Sequence, residues 1–157
     1  MNVSLKYAVV ERERRFLLRS MPDGVVSRSV ITDRYLDGTR LRLREVVDED
    51  GHVVRKLGQK IRMGAGPGEI AHTTMYLDEV EWSALAALPA RTLTKTRHRV
   101  VRDGWQLAVD VFVDGTLLAE IDDGDRGSAM VPQWLDVIAE VSADEAWTGA
   151  ALADGSN

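Results

Sequence analysis

Residues 11–18 of the chain read ERERRFLL, a run of alternating charges that leads into apolar residues and decides the fold. In an extended strand, side chains two positions apart point to the same face. Glu11, Glu13 and Arg15 therefore share one face, and the residues between them share the other. One strand face thus carries two acids and one base.

Two later stretches each place three cations on one strand face. In the first, Arg40, Arg42 and Arg44 alternate with Leu41 and Leu43. The second is formed by Lys95, Arg97 and Arg99. For a single antiparallel strand, a solvated polar face is the ordinary explanation. Taken together, however, same-sign faces repel and ordinary surfaces intersperse the two signs, so we expect an anionic ligand to neutralise them.

Acidic side chains recur towards the end of the chain. Glu120 and Asp122 share one strand face. On the preceding strand, Asp110 points to the face opposite that of its neighbours Val109 and Val111. If the charged faces line a common lumen, the Arg and Lys side chains would bind phosphate oxygens. The carboxylates would bind a hard divalent cation. A triphosphate with a divalent metal ion satisfies both sets.

The remaining sequence consists mostly of short strand-like segments separated by turn signals. It predicts a mainly β domain, a closed eight-stranded antiparallel barrel with a few short helices packed outside. The predicted strands cover residues 7–18, 26–36, 40–47, 52–62, 69–77, 93–101, 106–113 and 117–122. The predicted helices cover residues 78–88, 131–139 and 144–152. We expect one domain over residues 1–153, a disordered tail over 154–157, and a glycine-rich hairpin connection without chemistry over 64–68.

Bulk composition narrows the functional classes. The chain has 157 residues, 45% of them hydrophobic, and a net charge of −5, which gives no overall attraction to nucleic acid or an anionic membrane. The absence of cysteine excludes a disulfide framework and thiolate chemistry. The histidines, His52, His72 and His98, are scattered and are expected to have structural or surface roles. No stretch resembles a signal peptide or a bilayer span, so we expect a soluble, cytoplasmic protein.

The motifs resemble, in order, those of the CYTH or triphosphate tunnel metalloenzyme family. Residues 11–15 are similar to the ExExK signature that opens CYTH domains, with Arg15 in the place of lysine. The later matches are LRLR at 41–44, LGQK at 57–60, KTRHR at 95–99, VDVF at 109–112 and LAEID at 118–122. The similarity extends over nearly the whole chain.

This resemblance implies a closed tunnel of eight antiparallel strands that acts on triphosphates with Mg²⁺ or Mn²⁺. The family includes inorganic triphosphatases, thiamine triphosphatases and class IV adenylate cyclases. The implied phosphate-binding residues are Arg15, Arg42, Arg44, Lys60, Lys95, Arg97 and Arg99. The implied metal ligands are Glu11, Glu13, Asp110, Glu120 and Asp122. Within these sets, Glu11, Glu13, Lys60 and Asp110 are the candidate catalytic residues.

Two residues depart from the family pattern. Arg15 keeps the positive charge of the expected lysine but cannot deprotonate to act as a base. Asp122 replaces the expected glutamate and draws the carboxylate back by roughly 1.5 Å, one carbon–carbon bond. Both changes bear on metal choice and on catalytic rate.

The leading hypothesis is a metal-dependent hydrolase of inorganic triphosphate or a small organic triphosphate. One alternative is a class IV-type adenylate cyclase, although the motifs do not show contacts for adenine and ribose. The other is a non-catalytic module that binds polyphosphate or nucleotides. We expect a small-molecule triphosphate as the partner, neither nucleic acid nor a membrane, and a homodimer as the oligomeric state to test.

Overall fold

The computed structural model describes residues 4–64, 69–124 and 129–155 and shows a closed antiparallel barrel. Its eight strands are β1 (Val9–Leu18), β2 (Val25–Leu36), β3 (Leu41–Asp48), β4 (Val53–Arg62), β5 (Glu69–Tyr76), β6 (Ala90–Arg102), β7 (Trp105–Phe112) and β8 (Leu117–Asp122). The elements outside the barrel are α1 (Glu79–Ala86), β9 (Val137–Glu140), a 3-10 turn (Glu145–Trp147), α2 (Gly149–Leu152) and β10 (Asp154–Gly155). The predicted eight-stranded barrel is confirmed.

The barrel closes because every one of its strands pairs with two neighbours. Around the ring the order is β1, β5, β4, β3, β2, β6, β7 and β8, and β8 returns to β1. The closing register places Glu13 opposite Asp122 and Arg15 opposite Glu120. Because side chains alternate between the two faces of a strand, this register places the acids of β1 and the Glu120–Asp122 pair of β8 in the same lumen.

Hairpin chemistry fixes the register between β6 and β7. Arg102 pairs with Trp105 across a two-residue loop, Asp103-Gly104. Both loop residues have positive φ, 50° and 79°, as a type I′ turn requires. This turn sets Arg97 opposite Asp110, which becomes a central contact of the site.

The apolar side chains pack mainly on the outside of the barrel. One cluster joins Phe16, Val109 and Ile121 to Leu135 of the segment that covers this face. A second cluster, with Leu43 at its centre, packs against Trp82 of α1. Helix α1 begins with a complete capping box between Asp78 and Glu81. Both clusters are covered from outside, and the inner face carries many charged side chains together with a few apolar ones, such as Leu93 and Leu118.

The prediction of a helix over 131–139 is wrong. The end of this stretch forms β9, which pairs with Phe16–Leu18 of β1. Strand β5 pairs only with Val9–Arg12 of β1, so the rest of that edge is open to a partner. Satisfying this exposed row of backbone groups outweighs the local preference for a helix turn after Pro132.

The C-terminal helix predicted over 144–152 is broken into two pieces. Thr148 is extended, with φ −76° and ψ 152°, and its side chain caps Ala151 at the start of α2. Asp154–Gly155, predicted as part of a tail, instead pair with Arg91 and Thr92 of β6. Residues 156 and 157 lie outside the described residues, as does most of the predicted glycine-rich loop at 64–68. None of the described helices has the length and apolar character needed to cross a membrane.

Candidate functional site

The barrel encloses a cavity of about 940 Å³. Among the described residues, ten Lys and Arg side chains line it against five Asp and Glu side chains, although the whole chain is net negative. All the predicted site residues except Asp110 belong to this lining: Glu11, Glu13, Arg15, Arg42, Arg44, Lys60, Lys95, Arg97, Arg99, Glu120 and Asp122. The separate charged faces of the sequence therefore converge on one lumen.

The arginine wall of β3 rests on a buried acid that the sequence analysis did not single out. Asp33 on β2 is fully buried and accepts two hydrogen bonds of 2.7 Å from Arg44. The neighbouring Arg42 lies 3.9 Å from the same carboxylate, and its buried Nε has no hydrogen-bond partner among the described residues. Burial would raise the pKa of Asp33, but the hydrogen bond and charge of Arg44 lower it overall. Asp33 therefore holds Arg44 in place as a carboxylate.

On the opposite wall, a buried aspartate likewise holds an arginine by two hydrogen bonds. Asp110 on β7 is fully buried and accepts hydrogen bonds of 2.7 and 2.8 Å from Arg97. Lys95 adds an ion pair of 2.5 Å to the same carboxylate. Arg97 also donates to Glu120 at 2.6 Å. Asp110 thus lies behind the cations, out of the cavity lining, with its oxygens engaged by Arg97 and Lys95.

The acids of β1 form the other half of the site. Lys60 places its Nζ 3.5 Å from Glu11 and 3.6 Å from Glu13. Burial raises the pKa of Glu13, and the negative charge of Glu120 raises it further. Burial acts on Glu120 in the same direction, but Arg97, Lys95 and then Lys60 outweigh it and hold the pKa of Glu120 well below its usual range. Burial is thus the main reason that the Glu13 carboxylate is difficult to ionise.

Solved structures with a similar architecture were found for this chain. Two crystal structures of NE1496, one called a hypothetical protein and the other an inorganic triphosphatase, align with TM-scores of 0.57 and 0.58 at 24% identity. Both alignments cover 91% of this chain and 97% or 93% of NE1496. A conserved hypothetical protein from Pyrococcus furiosus aligns with a TM-score of 0.54 at 17% identity over 74% of this chain and 80% of its own.

The chain has the CYTH fold. No protein-family model and no curated protein matches the sequence, so the likeness is carried by the three-dimensional structure. Within this CYTH fold, the motifs at 11–15, 41–44, 95–99 and 118–122 all contribute side chains to the lumen.

His72, which was expected to have a structural or surface role, faces the lumen and contacts one of the predicted metal ligands. The side chain lines the lumen on β5, and its Nδ1 lies 2.8 Å from Oε1 of Glu11. The sequence does contain a sign of this, because Ile70, His72 and Thr74 share one strand face opposite Lys60. Asp33 has a similar sign, since it alternates with Tyr35 beside the arginine strand.

Arg15 holds the C-terminal segment of the CYTH fold across one mouth of the lumen. Its guanidinium donates to the carbonyl oxygens of Trp147 at 2.7 Å and Ser142 at 3.0 Å. Arg91 donates to the carbonyl of Ala150 at 2.6 Å, and Arg62 forms an ion pair with Glu145. Backbone carbonyls therefore occupy part of the donor set of Arg15.

The remaining predicted site residues lie at the rim. Asp122 is exposed, and its Oδ1 accepts the backbone N–H groups of Arg12 and Gly124 at 3.1 and 2.9 Å. Arg99 is also exposed and contacts Gln106 at 3.3 Å. Both side chains reach the cavity without the burial that characterises Arg42 or Glu120.

The carboxylates of the lumen are chemically suited to a divalent ion. Oxygen ligands are those that Mg²⁺ and Mn²⁺ prefer, and a cation beside Glu13 would stabilise the ionised form of this buried carboxylate. In this structure the ammonium of Lys60 takes that place between Glu11 and Glu13. Within the described residues, the tightest group of three candidate ligands lies elsewhere, at the exposed turn of Asp48, Asp50 and His52.

Proposed function

We propose that this protein is a divalent-metal-dependent hydrolase of triphosphate-containing substrates. The CYTH fold and the triphosphatase NE1496, which is 24% identical, support this reading. The cationic excess of the lumen is the electrostatic environment that a polyanion needs.

One observation carries the proposal. The Arg42 side chain is 12% exposed on the cavity wall, and its Nε is without a hydrogen-bond partner in the described part of the chain. A buried, ionised donor left unsatisfied costs stability unless a ligand completes it. A phosphate oxygen, which accepts guanidinium donors in a planar, charge-assisted geometry, supplies the missing partner.

The phosphate-binding residues differ in how ready they are for a ligand. Arg44 and Arg97 are already oriented by Asp33 and Asp110, so each presents its remaining N–H groups at little entropic cost. Lys60 is free to exchange its two weak contacts with carboxylates for a phosphate. The other members of the proposed set are Arg15, Lys95 and Arg99.

Glu11 and Glu13, with Glu120 beside them, would hold the divalent ion, and Asp122 would contribute from the rim. The burial of Asp110 beneath Arg97 and Lys95 favours a role in orienting those cations over direct contact with the ion. The bound ion would neutralise charge on the phosphoryl group and help to activate a water molecule. Arg42, Arg44 and Arg97 would stabilise the charge that develops on the phosphate oxygens.

The proposal is tested by measuring phosphate release from tripolyphosphate and ATP with Mg²⁺ and with Mn²⁺, with cyclic nucleotide formation and equilibrium binding measured alongside. Metal-dependent phosphate release is the expected result. Cyclic AMP formation from ATP would replace the proposal with the cyclase alternative. Tight binding of tripolyphosphate without turnover under either metal would identify a non-catalytic binding module.

A further inference from the structure

His72 occupies the junction between the acidic and cationic halves of the lumen. Its Nδ1 is 2.8 Å from Glu11, the first proposed metal ligand, and the imidazole is largely buried. Oε1 of Glu11 accepts the hydrogen bond from His72, whereas Oε2 lies 3.5 Å from Nζ of Lys60. The two carboxylate oxygens are thus held from two directions, one by a rigid ring and one by a flexible ammonium.

The other nitrogen of the ring is also fixed. Nε2 lies 3.3 Å from the hydroxyl of Thr74, and Gly58 leaves the space that the ring edge fills. A Cβ on Gly58 would stand 3.1 Å from Nε2 of His72 and 3.5 Å from Nη2 of Arg42. The absence of a side chain at Gly58 therefore lets the imidazole and the phosphate-binding guanidinium approach the same point.

We propose that His72 is a positioning residue that orients the carboxylate of Glu11 for the divalent ion, with Gly58 providing the space for its ring. This inference rests on the proposed function, since it concerns the metal ligand set of the same lumen. His72 does not itself contact the substrate in this assignment.

Glu11 has two competing partners, His72 and Lys60. Without His72, the carboxylate could rotate fully towards Lys60 and form a closed ion pair, which would present neither oxygen to a metal ion. The Nδ1–H donor holds Oε1, so that Lys60 can leave for a phosphate while the carboxylate keeps its orientation. Partners of this kind, which contact a ligand rather than the metal, typically change metal affinity or activity by about 10- to 100-fold when they are removed.

Two substitutions separate the role of Nδ1 from that of the ring as a packing group. The amide nitrogen of asparagine is as many bonds from Cα as Nδ1 of histidine, so His72→Asn keeps a donor for Glu11. The amide of glutamine extends one bond further, to the level of Nε2, so His72→Gln loses that donor. The measurement is the dissociation constant for Mn²⁺, followed by the electron paramagnetic resonance of the free ion.

We expect His72→Gln to raise the Mn²⁺ dissociation constant by about tenfold or more and His72→Asn to raise it by less than about threefold. Tripolyphosphate binding in the presence of chelator should stay close to wild type in both variants, because the arginine wall is untouched. Equal Mn²⁺ affinities for wild type and both variants would overturn the inference. So would equal losses in the two variants, which would indicate that only the packing of the ring matters.

His52→Gln is the matched control. His52 belongs to the exposed Asp48–Asp50–His52 group, which could bind Mn²⁺ independently of the lumen. The control should keep the wild-type lumen affinity. If it alone abolishes Mn²⁺ binding, the ion was bound at the turn, and both the lumen metal site and the role of His72 are rejected.

Gly58→Ala provides a second route should His72→Gln fail to fold, as judged by circular dichroism. The added Cβ forces the imidazole ring of His72 to shift by a few tenths of an ångström. The Mn²⁺ affinity of Gly58→Ala should therefore fall, whereas that of His72→Asn should stay close to wild type. Unchanged Mn²⁺ affinity in Gly58→Ala would then contradict the inference. A wild-type protein that binds no Mn²⁺, with or without tripolyphosphate, would reject the proposed function itself, whereas metal binding indifferent to His72 rejects this inference alone.

Discussion

Asp33 and Asp110 show how individual residues make an arginine-lined lumen tolerable. Each is fully buried, and each binds one guanidinium by two hydrogen bonds of 2.7 to 2.8 Å. A buried carboxylate is costly to desolvate, and the paired arginine offsets that cost only when the geometry is good. Because both aspartates bind from behind, Arg44 and Arg97 are fixed with donors still facing the cavity.

Removal of the Asp33 charge should therefore destabilise the protein. Asp33→Asn is expected to lower the free energy of unfolding by about 3 kcal/mol at pH 7, since it leaves Arg44 buried without its counter-charge. The pKa of Asp33 is lowered from its ordinary 3.8 in the folded state, so its stabilising effect is present above pH 3.8. It is lost as the pH falls through the folded pKa. Urea denaturation of wild type and variant across this range measures the difference.

Tripolyphosphate should partly restore the stability of Asp33→Asn, because the ligand returns negative charge to Arg44. Added tripolyphosphate should therefore raise the midpoint of denaturation more in this variant than in wild type, because Arg44 without its counter-charge should bind the polyanion more tightly. A variant as stable as wild type at pH 7 would show that Asp33 does not hold Arg44 in solution.

Among the arginines of the lumen, Arg42 has a buried Nε that makes no hydrogen bond within the described residues and lies 3.9 Å from Asp33. Arg42→Ala should weaken triphosphate binding by about 1.5–3 kcal/mol, the range for a charge-assisted hydrogen bond, or roughly 10- to 100-fold. The melting temperature without ligand should stay the same or rise, since Arg44 loses a repelling neighbour. Isothermal titration calorimetry and thermal melting measure the two effects.

Arg28→Ala is the matched control for Arg42, since Arg28 is exposed and pairs only weakly with Glu49 at 3.5 Å. It should leave the affinity for triphosphate unchanged. A sharp fall in the melting temperature of Arg42→Ala, with affinity unaffected, would indicate a structural role for Arg42.

Alternation along single strands predicted many of the charged side chains that share the lumen, although Asp110 lies behind its wall and Arg62, Arg91 and Glu145 were not predicted. It could not predict their partners, because those depend on the register between strands. Lys60 meets Glu11 and Glu13 from β4, which is not paired with β1, and Asp110 meets Lys95 as well as its direct neighbour Arg97. For the same reason the roles of Asp33, the only acidic residue of β2, and His72, the only histidine of β5, could not be predicted from their own strands.

At the scale of elements, the sequence predicted all eight barrel strands to within about three residues at each end. Local signals were enough here, because turns such as Asp103-Gly104 and alternation define each strand. They failed for β9, whose partner is the open edge of β1. They also failed at Thr148, where the C-terminal segment bends to follow the mouth of the barrel.

The C-terminal segment is seated by a close contact that permits only glycine. A Cβ on Gly149 would overlap the hydroxyl of Tyr35. Gly149→Ala should lower the free energy of unfolding by about 1–3 kcal/mol, the usual cost of overpacking, despite the better helix propensity of alanine. Chemical denaturation measures this loss.

Tyr35→Phe should relieve part of the loss, since it removes the overlapping oxygen, although Cζ would still lie 3.0 Å from the new Cβ. A double-mutant cycle of Gly149→Ala and Tyr35→Phe should therefore show a favourable interaction between the two substitutions. Additive effects would mean that the segment does not rest on Tyr35 in solution.

At the scale of the whole molecule, the barrel segregates charge. Its two apolar clusters pack outside, beneath α1 and the segment that includes β9, while cations outnumber carboxylates two to one among the described residues that line the lumen. The net charge of −5 does not indicate a cationic lumen, because acidic residues elsewhere on the chain outnumber the excess cations of the lumen. In the sequence, the cationic lumen was indicated by charged residues of one sign that share a strand face.

The four lumen acids Glu11, Glu13, Glu120 and Asp122 could serve either to hold metal or merely to balance the arginines, and Glu13→Gln distinguishes these roles. The raised pKa of Glu13 means that its ionisation is unfavourable in the folded state, so the metal-free variant should be more stable than wild type near pH 7. That gain should vanish as the pH falls below the unfolded value near 4.5, where both states of wild type are protonated. Urea denaturation with chelator at pH 7 and pH 4 measures it.

The metal dependence then decides between the two roles. If the acids only balance charge, Glu13→Gln should tighten tripolyphosphate binding to the same extent with chelator and with Mn²⁺. If Glu13 is a ligand, the substitution should abolish turnover and weaken Mn²⁺ binding, while metal-free tripolyphosphate binding becomes equal or stronger because a repelling carboxylate has gone. Calorimetric titration of tripolyphosphate into wild type and Glu13→Gln, first with chelator and then with Mn²⁺, separates the outcomes. An unchanged response to Mn²⁺ would remove Glu13 from the ligand set and extend the doubt to Glu11, which shares its strand face and its contact with Lys60.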